Sequence, residues 1–249
     1  EVKRVRQEME AVRAATGFAG DLPAFFEHIR TDPRFRPASR QALGDAYRAI
    51  GRRVDARVGE QFSTIPKTAL VIRAYEPYRE KGQAGGSYEP GSSDGSRPGV
   101  FYYNAYDLPS RSTPGMETLF LHEGIPGHHF QISIAQESKE LPAFLRFRYN
   151  TAYVEGWALY AESLWRELGM ESDPYARFGG LADEMLRAMR LVVDSGLHSK
   201  GWSRDRAIDY MLANPGMARP AATAAMVRHL AWPGQALAHP VRQRTLPPR

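Results

Sequence analysis

The sequence predicts a mainly α-helical domain carrying one small antiparallel β-sheet. Apolar residues recur at helical spacing from the first residues to about position 65, and again from 113 onward. Between them lie two runs rich in β-branched and aromatic residues, parted by a stretch dense in Gly, Ser and Pro. No internal repeat and no Gly/Ser linker divides the 249 residues. The chain therefore reads as one domain: a helical lead-in over 1–65, a sheet and loop over 66–106, and a helical core over 113–238.

Each element has its own signal. In "VKRVRQEMEAVRAATG", Val5, Met9, Val12 and Ala15 share a helical face and Gly17 closes the run. Asp21 precedes Pro23 as N-cap of a second helix, and Ser39 starts the longer amphipathic run "SRQALGDAYRAIGRRVDARVGEQF". "KTALVIRAYEP" and "GVFYYNAYD" read as two strands joined by the long loop "KGQAGGSYEPGSSDGSRPG". Helical patterns then cover 113–136, 141–168, 174–200, 203–213 and 219–230. The chain begins at Glu1 directly inside a helical pattern and ends in "AHPVRQRTLPPR", so it reads as a single domain or as a fragment of a longer chain.

Composition narrows the function. The chain is 43% hydrophobic and 24% charged, and no apolar run approaches the roughly 20 residues that span a bilayer. Its net charge of +5, from 33 Lys and Arg against 28 Asp and Glu, is spread without a basic stripe interleaved with aromatics, so no nucleic-acid partner is expected. The absence of cysteine excludes disulfides, thiolate metal sites and a cysteine nucleophile, and is compatible with cytoplasm, periplasm or the extracellular space.

The chemistry concentrates in "LHEGIPGHHFQ", residues 121–131. It opens like the zinc-protease pattern H-E-x-x-H, with Pro126 where the second histidine would stand. On a straight helix His122 and His128 would lie roughly 9 Å apart along the axis and about 120° around it, too far to share an ion. His129 would return to the same face about 10.5 Å away. Pro126 removes an amide bond and Gly127 relaxes the backbone, so a kink or a bulge is expected here. A bulge absorbing two residues brings His128 to the place of the second histidine and leaves Glu123 beside the ion. By itself the cluster fits ordinary histidines equally well, and a third ligand has to decide. "YNTAYVEGWALYAESLW" supplies Glu155 amid Tyr153, Trp157 and Tyr160, where a lone carboxylate is costly unless paired or metal-bound. Glu162, on the same face, reads as a competing ligand, as a partner of a ligand histidine, or most simply as a solvated helix charge.

"GVFYYNAYDLPSR", "LHEGIPGHHFQ", "EGWALYAE", "RLVVDSGLHSKGW" and "AWPGQALA" resemble, in order, the motifs of the bacterial family catalogued as domain of unknown function 885. The resemblance covers about residues 15–238, and that family resembles zinc metallopeptidases of the all-helical carboxypeptidase and oligopeptidase type. It implies a helical catalytic domain with Zn²⁺ as cofactor and a peptide as substrate. His122, His128 and Glu155 are the implied ligands, Glu123 the implied base and His129 a weaker ligand candidate. Members are usually more than twice this length, which implies that an N-terminal half and a final helical segment are missing here.

In the mechanism expected from these residues, zinc acidifies a water and polarises the scissile carbonyl while Glu123 moves the proton. Arg190, Asp194 and His198 follow at spacings of four on one helix face. His198 is a candidate to stabilise the oxyanion and Arg190 to bind a substrate carboxylate, against an ordinary Arg190–Asp194 ion pair. Tyr102 and Tyr103 lie on the second strand, where an edge would pair with an extended peptide, against a reading as core aromatics. Three function classes fit: a metallopeptidase, a zinc hydrolase of other amide or ester bonds, and a binding domain without turnover.

Overall fold

In the computed structural model the chain is mainly helical, and the caps lie where the sequence puts them. The structure describes residues 1–214, 222–223, 226–227, 230–231 and 233–234. The helix expected over 219–230, and most of the "AWPGQALA" motif, fall largely outside these residues. Helix α1 (Val2–Ala15) buries Val5 and Met9. α2 (Leu22–Thr31) starts on Asp21, whose carboxylate accepts from the Ala24 amide at 2.9 Å, and α3 (Arg40–Gln61) starts on Ser39, which accepts from the Ala42 amide at 3.0 Å.

The sheet is mixed where an antiparallel pair was expected. Its strands are β1 (Leu70–Ala74), β2 (Gly86–Glu89) and β3 (Gly99–Tyr103), in the order β1-β3-β2. β3 runs parallel to β1 and antiparallel to β2. β2 lies inside the Gly- and Ser-rich stretch, whose composition hid a strand this short. The connection between β1 and β3 is long enough for a crossover, which a parallel pair requires. β3 is therefore central and buried along its whole length, which explains why "GVFYY" does not alternate.

The described residues form two large apolar cores, besides a small cluster of Tyr75, Val100 and Tyr102. α1, α2, α8 (Pro174–Ser199) and α9 (Arg204–Leu212) close around Met9, Phe25, Phe178, Leu181 and Met185. α3, the sheet, α4 (Met116–Glu123) and α5 (His128–Glu137) close around Tyr47, Phe101, Phe120, Leu121 and Phe130. The helix expected over 141–168 is divided into α6 (Ala143–Phe147) and α7 (Thr151–Ser163), because Asn150 starts a new helix by accepting from the Tyr153 amide. α7 packs on both α4 and α5, and α8 packs on α4. The histidine segment thus lies between helices of both cores. Among the described residues no helix is long and apolar enough to cross a membrane.

Candidate metal centre

The segment 121–131 is an interrupted helix and not a bulged one. α4 ends at Glu123, and α5 begins afresh at His128 with Gly127 as its N-cap. Pro126 has no amide to donate to α4, and Gly127 passes so close to the end of α4 that any Cβ there would collide with the carbonyl oxygens of His122 and Leu121. α5 therefore restarts beside α4, and the His122 and His128 rings meet edge to face with centroids 4.7 Å apart. The elbow is tied to α7 by the Trp157 indole, which donates to the Pro126 carbonyl at 2.7 Å.

Glu155 enters this space from the second turn of α7. Its Oε2 lies 3.5 Å from His122 Nε2 and 3.8 Å from His128 Nε2. One ligand atom from each of His122, His128 and Glu155 falls within 4.8 Å of the others. Ligand atoms at about 2.0–2.2 Å from a tetrahedral ion stand about 3.4 Å apart, so small side-chain movements bring this set onto one cation. Glu123 Oε2 is 4.0 Å from His128 Nε2, at the margin of the group. Two imidazoles and a carboxylate are a donor set that can hold a metal ion.

The surrounding charges favour a cation at this point. His122 Nδ1 meets Glu162 Oε1 at 2.5 Å, and Arg187 donates to Glu162 Oε2 at 2.7 Å. With its Nδ1–H donated to Glu162, His122 turns Nε2 to Glu155. Burial opposes a charge on His122, but the hydrogen bonds to Glu155 and Glu162 outweigh it and push the imidazolium up to about 9. Burial raises the Glu123 carboxyl above its usual range, and His122 opposes the shift. Without metal the pocket thus holds a proton on His122, placed where a cation satisfies the carboxylates around it.

The other predicted residues divide between the site and the scaffold. Glu162 is not a solvated charge: its side chain is 11% exposed and held between His122 and Arg187. His129 turns away from the cluster toward the sheet, where its Nδ1 meets the Tyr88 hydroxyl at 3.0 Å and Ser133 Oγ at 3.5 Å. Burial pulls its pKa down to about 4. Tyr103 has no strand edge to offer, since β3 is paired on both sides, and its ring stacks on Tyr47 at 5.2 Å in the core. Tyr102 lies on the opposite sheet face, stacked on Tyr75. On α8, Arg187 is the residue that approaches His122, at 3.4 Å from Nδ1. Arg190 lies one turn further on, and His198 is exposed in the last turn, about 16 Å along the axis from Arg187. Asp194 is buried and accepts from the Gly234 amide at 3.1 Å.

Three contributors escaped sequence reasoning. Arg187 stands between Leu186 and Ala188 in an apolar helix, a signal of the same kind that singled out Glu155. Trp157 reads from sequence only as an apolar face residue. Tyr149, whose hydroxyl donates to Glu155 Oε1 at 3.0 Å, carries no local pattern at all. Burial, then the charge of Glu155, push its phenol upward, so it stays a donor.

Fold and site together describe a helical domain with an interrupted His-Glu helix, and comparison with known proteins gives the class. The chain belongs to the family described as bacterial protein of unknown function (DUF885), whose model matches residues 1–246. A solved structure, titled the crystal structure of the "putative lipoprotein" from Colwellia psychrerythraea, is similar to it at 36% identity with a TM-score of 0.92. The match covers 98% of this chain and 43% of that one, so the chain spans less than half the length of this relative. No curated protein matches.

Proposed function

We propose that this domain is a zinc-dependent hydrolase, and that its reaction is the cleavage of peptide bonds. The observation that carries the reading is the convergence of His122, His128 and Glu155 with Glu123 at its margin, built by an interruption that reunites residues a continuous helix would separate. His122, His128 and Glu155 would hold the ion. A bound zinc supplies Lewis acidity and lowers the pKa of water toward neutrality.

The residues of the chain do the rest. Glu123 takes the proton of the attacking water and returns it to the leaving amine, a role that suits a carboxylate whose pKa burial raises. Glu162 fixes the ring of His122 and its tautomer, and Arg187 holds Glu162 in turn. Peptides are favoured over other amides and esters because the five motifs resemble the family catalogued as domain of unknown function 885, which in turn resembles zinc metallopeptidases.

Metal analysis of the purified chain, combined with hydrolysis of a peptide library by wild type and Glu123→Gln, tests this reading. The expected result is about one zinc per chain, with cleavage lost in the variant. Folded protein that takes up no stoichiometric metal would rule out both hydrolase readings. Turnover of esters and never of peptides would assign a different substrate class, and bound metal without any turnover would leave a binding domain.

A further inference from the structure

We infer that Tyr149 is a positioning residue for the metal centre: its hydroxyl holds one oxygen of Glu155 so that the other faces the two histidines. The inference rests on the metal-hydrolase reading. The two carboxylate oxygens of Glu155 have separate neighbours. Oε2 is the atom near His122 Nε2 at 3.5 Å and His128 Nε2 at 3.8 Å, whereas Oε1 accepts from the Tyr149 hydroxyl at 3.0 Å. The terminal torsion of a glutamate is broad and nearly two-fold, so nothing intrinsic to the side chain fixes which oxygen points inward or at what angle. A hydrogen bond to one oxygen removes that freedom and favours a ligand that binds through the other.

The backbone explains how a residue outside the helix performs this task. Tyr149 precedes Asn150, the N-cap of α7, whose carbonyl accepts from Tyr153 N at 3.0 Å and Val154 N at 2.9 Å and whose side chain accepts from Tyr153 N at 3.1 Å. These bonds fix the chain just before the helix. Six residues separate Tyr149 from Glu155, so the phenol comes from the turn before α7 and the carboxylate from its second turn. His122 receives the same treatment from Glu162, two turns further along α7, so each of these two ligands has a partner on its outward side.

Tyr149 is 57% exposed and belongs to neither apolar core, so Tyr149→Phe removes the hydroxyl without opening a cavity in either of them. A residue that only pins a loop would affect folding and leave the ion alone. A residue that orients a ligand changes metal affinity and coordination while leaving the metal-free protein as stable as before.

The test measures zinc affinity by competition with a chromophoric chelator, and the visible spectrum of the cobalt-substituted chain, for wild type and Tyr149→Phe. The expected result is a zinc Kd weakened roughly 10-fold and an altered cobalt spectrum, with the melting temperature of the metal-free chain unchanged. In a Glu155→Gln background the further change Tyr149→Phe should have no effect on affinity, because the hydroxyl acts through Glu155. Equal Kd and identical spectra in wild type and Tyr149→Phe would overturn the inference while leaving the metal site in place. An undiminished effect of Tyr149→Phe without Glu155 would overturn it as well. A wild-type chain that takes up neither ion fails at an earlier step, overturning the metal-hydrolase reading and this inference together.

Discussion

The indole nitrogen of Trp157 donates to the carbonyl of Pro126 at 2.7 Å, joining the helix that carries Glu155 to the elbow that carries His128. Two proposed ligands from different helices are thereby held in register by a bond that touches neither. Trp157→Phe should keep the apolar contacts with Phe62 and Tyr160 and lose this bond. The expected cost is about 1–3 kcal/mol in the metal-free protein, since a partly buried carbonyl is left without its donor. Urea denaturation measures it, and an unchanged midpoint would show that the elbow holds itself.

Gly127 makes the stronger demand. A methyl group there would occupy the space of the His122 and Leu121 carbonyl oxygens, so the end of α4 and the start of α5 would have to move apart. Gly127→Ala should destabilise the chain by roughly 3–5 kcal/mol. It should also abolish stoichiometric metal uptake in whatever folded fraction remains. Wild-type stability and uptake in this variant would contradict the close approach.

How far the site could be read from sequence depends on the range of the interaction. Asp21 and Ser39 announce helices through their own side chains, and both helices start there. The carboxylate Glu155 stood out because it lies in apolar surroundings, which is a local property. By contrast, the central position of β3 depends on a strand hidden among glycines, and this is what removed Tyr103 from any edge. Proline and glycine at 126–127 signalled a disturbance, but only the packing of α5 beside α4 determined that it is an interruption and that His128, and not His129, returns to His122. Arg187 lies 65 residues from His122, so no spacing rule connects them.

Arg187 gives the third prediction. It is a largely buried cation, its side chain 16% exposed, whose partner Glu162 is also largely buried, and breaking such a pair from one side leaves an uncompensated charge. Arg187→Met preserves bulk and removes the charge. A loss of about 3 kcal/mol is expected in the metal-free chain, at the low end for buried pairs because His122 still faces Glu162. Thermal melts of wild type, Arg187→Met, Glu162→Gln and the double variant measure the coupling, and strict additivity would refute the pairing.

The fourth prediction concerns pH and uses the histidine that left the site. Burial pulls the pKa of His129 down to about 4, and a hydrogen bond to the Thr68 backbone offsets it only in part. In the unfolded chain the same group titrates near its ordinary value of 6.5. Protonation therefore favours the unfolded state, and the stability that depends on neutral His129 is complete above pH 6.5 and is lost progressively as pH falls toward 4. The full loss is about 3 kcal/mol. His122 works in the other direction: raised to about 9, it contributes stability to the metal-free chain that is complete below pH 6.5 and disappears as pH rises through 9. His129 therefore adds an acid limb and His122 an alkaline one to the stability of the metal-free protein, the first running against the buried carboxyls of Asp183 and Glu171, which burial raises to about 6 and about 7 and whose protonation favours the folded state. Melting temperatures of the metal-free chain between pH 4 and 9 measure both limbs. His129→Gln should flatten the acid limb whatever its effect on overall stability, and an acid limb of unchanged slope in that variant would contradict the assignment.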